Sequence, residues 1–172
     1  MQEVFNLKLY NIIFPIWLLW IFPTTWLFIM PANLLFDALI IVLTLKVLKI
    51  SNIKTILKTV IWRTWICGFL ADFVGCLILF SVNIIKFSPE NPLHWWWNDN
   101  MMAINYNAFT NVYVFILMTF AVFISAYLIY WFNSRFCLRE ALISPQERQK
   151  LSISLAIFTA PYVFYLPTSL LF

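Results

Sequence analysis

Two carboxyl groups sit where water is scarce. Asp37 and Asp72 each interrupt a long apolar run. A charged side chain at the centre of a bilayer costs at least ~2.5 kcal/mol on insertion scales, so each marks a candidate functional position. A carboxyl group there can pass a proton, hold a cation or a small cationic solute, or hydrogen-bond a neighbouring helix. At ~100° per residue, Asn33, Asp37 and Thr44 fall on one helical stripe. Gly68, Ala71, Asp72, Gly75 and Asn83 fall on another, and it holds both glycines of the chain. Small residues let helices approach closely, which makes Gly68, Ala71 and Gly75 a packing seam. Ala121 and Ser125, four apart, offer a second seam. The candidate polar path is therefore Asp37, Asp72, Asn33, Thr44 and Asn83.

A second cluster lies in the longest polar connection, residues 87 to 108. His94, Trp95, Trp96, Trp97 and Asp99 combine aromatic faces with polar groups. They suit an interfacial segment at headgroup depth, or a rim that binds a cation or a sugar.

Other chemistry is missing. The single His and the absence of a cysteine pair at ligand spacing argue against zinc or haem. Cys67, Cys76 and Cys137 make no disulfide framework and read as free thiols. There is no glycine-rich phosphate loop and no nucleophile elbow. No cofactor is expected. An aspartyl enzyme built on Asp37 and Asp72 would need both carboxyls at one depth, and the sequence puts Asp37 in the outer half of its span and Asp72 near the middle of another.

The elements that position these residues follow from composition. Of 172 residues, 63% are hydrophobic and 10% charged, against ~25% charged in soluble domains. Lipid must cover what water cannot. Runs of about 20 apolar residues predict an all-α, polytopic membrane bundle forming a single domain, with spans at about 5–22, 31–50, 60–85, 111–132 and 151–171. Pro23 ends the first, and Pro31 in a first helical turn starts the second. Ser51 and Asn52 cap a helix that begins as a basic ramp and becomes the third span. The fourth helix is expected to continue to Leu142. Ser144-Pro145-Gln146-Glu147 has capping-box form and opens the last helix, which Pro161 and Pro167 should kink.

Ten of the eleven basic residues fall on one side of this arrangement: Lys8, Lys46, Lys49, Lys54, Lys58, Arg63, Arg135, Arg139, Arg148 and Lys150. Lys86 alone falls opposite. The positive-inside rule then expects a cytoplasmic N-terminus and an outer C-terminus in a cell (inner) membrane. Anionic lipids of the inner leaflet are the expected partner of the basic face, so the net charge of +4 requires no nucleic acid. Arg63, nine residues before Asp72, points away from it and should reach the interface. Two readings of function follow. One is an oligomeric channel or transporter component with the aspartates lining a polar path. The other is a non-catalytic accessory subunit of a larger membrane complex, docking through the seam at Gly68 and Gly75. Neither is an enzyme.

Overall fold

The computed structural model describes residues 16 to 167 and is helical, with no strand among them. Among these residues five α-helices follow in order: α1 (Trp26–Val47), α2 (Ile53–Ile84), α3 (Leu93–Met101), α4 (Val112–Phe132) and α5 (Pro145–Phe158). Among the described residues three segments are long and apolar enough to cross a membrane: Trp26–Val47, Ile53–Ile84 and Val112–Cys137. At ~1.5 Å per residue, the 22 residues of α1 match a ~30 Å hydrocarbon core. The 32 residues of α2 exceed it, and the extra length at its start includes Lys54 and Lys58.

Several boundaries differ from the sequence expectation. Helix α1 starts at Trp26 rather than Pro31 and runs through the proline. In hydrocarbon a broken helix strands many backbone groups, whereas a proline removes a single amide. The α1–α2 turn has no glycine, yet it closes as a Schellman motif. Lys49 takes a left-handed φ of 57°, its amide bonds the Lys46 carbonyl at 3.0 Å, and the Ile50 amide bonds that of Leu45 at 3.1 Å. Asn52 is the N-cap of α2 but makes no side-chain cap bond.

Helix α4 passes into a π turn, Asn133–Cys137, and stops there instead of reaching Leu142. The Asn133 side chain donates to the Ile129 carbonyl at 2.8 Å, which competes with the regular ladder. The capping box at α5 is present: the Glu147 amide donates to the Ser144 hydroxyl at 3.3 Å, and the Ser144 amide donates to the Glu147 carboxylate at 2.7 Å. Beyond Phe158 the expected kink is a stop. Pro161 has no amide to donate and disfavours helix at Ala160, and a short 3-10 turn follows at Tyr162–Tyr165. Fourteen residues of α5 span only ~21 Å, so the expected span 151–171 is not one crossing helix. Most of the expected first span, with Lys8, lies outside the described residues. Within it the structure shows a short 3-10 helix, Ile16–Trp20.

Helix α2 is the axis of the bundle, packed against both α1 and α4, and α5 fills the groove beside α1 and α4. Two apolar cores result. One joins Ile41, Leu45, Ile56, Val60, Leu138, Leu151 and Leu155 at the end where α1 turns into α2. The other joins Trp17, Phe69, Leu79, Met118 and Phe164 at the opposite end.

Candidate functional site

Between the two cores α2 changes character. Along residues 64 to 75 its buried residues are Thr64, Gly68, Phe69, Ala71, Asp72 and Gly75; Phe69 packs into the second core, and the others form a stripe of small and polar side chains. Polar groups from the other helices converge on this belt.

Asp37 comes from α1, on a stripe with Ile40, Ile41 and Leu45 that is the buried face of an otherwise largely exposed helix. Only 6% of its surface is exposed. Its carboxylate lies over Gly68, 3.5 Å from where a Cβ would stand, and Thr159 at the end of α5 is its hydrogen-bond partner. Asp72, 4% exposed, is one turn further along α2, ~6 Å at ~1.5 Å per residue. The two carboxyls therefore lie at similar depth. The sequence had put them at different depths, because it dated α1 from Pro31 and left open how α1 and α2 register. Thr64 is one turn before Gly68, and its buried hydroxyl has no hydrogen-bond partner among the described residues. Sequence reading passed over Thr64, although its place four and eight residues before Gly68 and Asp72 put it on the same stripe. Buried polar groups without partners are rare and mark sites for water or an ion.

The other side of the belt faces α4. Ser125, buried, donates to the Ala71 carbonyl at 3.1 Å. Gly75 meets Ser125 and Ala121 directly: a Cβ there would overlap the Ser125 hydroxyl and come within 3.2 Å of the Ala121 carbonyl and the Phe164 ring. The two seams, Gly68, Ala71 and Gly75 on α2 and Ala121 and Ser125 on α4, are thus consumed inside this chain. A partner protein finds that face already filled.

The remaining path residues sit apart from the belt. Thr44 hydrogen-bonds the Ser154 hydroxyl of α5 at 2.6 Å and edges an apolar cleft with Ile40, Leu43 and Phe158. Asn83 accepts from the Asn105 side chain at 2.9 Å, and buried Cys76, Leu79 and Val82 separate it from Asp72. A continuous stripe from Asp72 to Asn83 is therefore not formed. Asn33 is half-buried, one turn before Asp37.

The outer connection folds as α3. His94 is fixed by the Phe87 carbonyl at 2.8 Å and by the Asn98 side chain at 3.2 Å. With Trp97, Lys86 and Asn83 it lines a pocket of about 240 Å³. Trp95 and Trp96 are exposed, Trp96 against the Tyr113 ring, and Asp99 faces outward. The five residues singled out there do not converge on one point, because a helix turns successive side chains by ~100°.

At the opposite end the basic residues gather. Arg63 pairs with Glu140 at 2.6 Å, both about half exposed, so it turns away from Asp72 as its spacing requires. The three cysteines are free. The Cys137 thiol donates to the Arg63 carbonyl at 3.5 Å, and the Cys76 thiol donates to the Trp17 carbonyl at 3.0 Å. Among the described residues no group of His, Cys, Asp and Glu is arranged to hold a metal. Comparison with family models, with curated proteins and with solved structures gave no match.

Proposed function

We propose that this is a small integral membrane protein that handles a proton or a cation at the Asp37–Asp72 belt, as a channel or transporter component. The observation that carries the reading is the burial of two carboxyls from different helices within one turn of each other, with the unpartnered Thr64 hydroxyl on the same stripe. Intramembrane carboxylates of this kind serve as proton relays and ion sites. The apolar layer of Cys76, Leu79 and Val82 closes the belt toward the Asn83 end. Toward the basic end Ile41, Leu45, Ile56 and Val60 close it as well, so in this reading a proton reaches the belt when one of these apolar layers opens to water. A proton needs no wide lumen, which suits a bundle this small. In this reading the basic end faces the cytoplasm, and the chain acts as a homo-oligomer or beside other membrane subunits.

The test is proton flux in proteoliposomes loaded with a pH-sensitive dye. Asp37→Asn and Asp72→Asn should each lower flux about tenfold, equivalent to ~1.4 kcal/mol, while helix content by circular dichroism stays constant. Flux equal to wild type in both variants overturns the reading. A second reading, an accessory subunit without transport, draws on the interhelical bonds Asp37–Thr159, Thr44–Ser154 and Ser125–Ala71, which tie the polar groups into packing. It predicts no flux from wild type at all. Its docking surface lies elsewhere than the filled seam.

A further inference from the structure

Where α4 gives way to α5, the chain encloses a cleft of about 470 Å³. Three arginines line it: Arg135 and Arg139 from the segment that ends α4, and Arg148 from the first turns of α5. The nearby acids are committed elsewhere. Glu140 is bound to Arg63 at 2.6 Å. Glu147 accepts the Ser144 amide at 2.7 Å in the capping box. Among the described residues no carboxylate comes within ion-pair distance of the three arginines.

Three positive charges facing one small volume repel one another, and the arrangement is stable with an anion between them. The residue type narrows the anion. Lys46, Lys49, Lys54 and Lys58 crowd the other connection at this end, yet the cleft is lined by arginine alone among its basic residues. Guanidinium forks match the oxygens of a phosphate two at a time, which an ammonium cannot do. Tyr130 adds a neutral hydroxyl to the wall. The start of α5, marked by Pro145 on the rim, adds the positive end of a helix dipole. Depth is the last constraint. Arg135 lies in the closing turn of the membrane-length segment Val112–Cys137, just past the half-exposed Trp131, at the level of lipid headgroups.

We propose that Arg135, Arg139 and Arg148 form a binding site for a phosphate ester, supplied either by an anionic lipid headgroup or by a small phosphorylated solute. This site is separate from the carboxyl belt and stands whether or not the belt moves protons. It also differs from diffuse attraction to a charged leaflet, because it depends on three named side chains rather than on total charge.

The experiment is native mass spectrometry of the detergent-purified protein with phosphatidylglycerol or phosphatidylcholine, beside thermal unfolding of the same protein with inorganic phosphate. Phosphatidylglycerol should be retained about tenfold better than phosphatidylcholine. R135Q/R139Q/R148Q should abolish that preference, while K46Q/K54Q/K58Q, which removes equal charge from the same end, should keep it. Protection by millimolar phosphate without any lipid preference, lost in the arginine variant only, supports the same site with a soluble ligand. Equal losses in the arginine and lysine variants overturn the proposal, as does the absence of both lipid preference and phosphate protection. If the triple variant does not fold, R148Q alone decides. It should lower retention or protection about tenfold, and an unchanged value overturns the site.

Discussion

The two glycines of α2 lie seven residues apart on one face, yet they do opposite things. At Gly75 the absent side chain lets α4 come so close that a single methyl group would strike the Ser125 hydroxyl. At Gly68 a methyl group would meet the Asp37 carboxylate at 3.5 Å, an ordinary contact. The first glycine is required by packing between backbones. The second gives room to a polar group. A small-residue stripe therefore carries no single meaning, and what stands opposite each position decides its role.

The contrast can be broken by substitution, with stability followed as helix loss against detergent denaturant. Gly75→Val should be the most damaging change, destabilising by about 3 kcal/mol through overpacking against Ala121 and Phe164. Adding Ser125→Ala should recover part of that loss, because it removes the nearest obstructing atom, and strict additivity would refute the contact. At the α1–α2 turn, Lys49→Gly should stabilise by about 1 kcal/mol, since glycine adopts the left-handed φ that lysine holds at a cost. Ser125→Ala alone should cost ~0.6 kcal/mol, the usual worth of an interhelical hydrogen bond in a membrane. Gly68→Ala should change stability by less than about 0.5 kcal/mol, and a loss as large as that at Gly75 would erase the distinction.

The smallest effect lies outside the belt, at the start of α5. The Ser144 amide and hydroxyl hold the Glu147 carboxyl below its ordinary value of 4.5. A depressed carboxyl contributes fully above that ordinary value, and its contribution is lost as pH falls through the lowered one. Hydrogen exchange should therefore show the first turn of α5 fraying in acid only below pH 4.5, and Glu147→Ala should flatten that dependence.

Much of the scaffold was legible in the chain. The apolar runs announced helices near Asp37, Asp72 and Ser125, and the Ser144–Glu147 spacing announced the α5 cap, because these depend on neighbours within four residues. The Schellman turn at Lys49 was not legible, since the usual glycine is absent and packing of Ile50 against the core of Ile41, Leu45 and Ile56 holds the strained residue instead. Nor was the stop at Thr159. A proline kinks or ends a helix according to what surrounds it, and here the Thr159 side chain partners Asp37.

Of the candidate site, the types and stripes of Asp37, Asp72, Gly68 and Gly75 could be read from spacing alone. Their depth relative to one another, the entry of Thr64 and Thr159, and the departure of Thr44 and Asn83 to other partners could not. Hydrophobic periodicity and charge placement are written one residue at a time, so the sequence determined that the chain is helical and strongly apolar; it led to an expectation of five spans, whereas among the described residues three segments are long and apolar enough to cross a membrane. The register of one helix against another depends on side chains far apart in the chain meeting at close range. Only the tertiary structure decided that two distant carboxyls share a belt and that three arginines share a cleft.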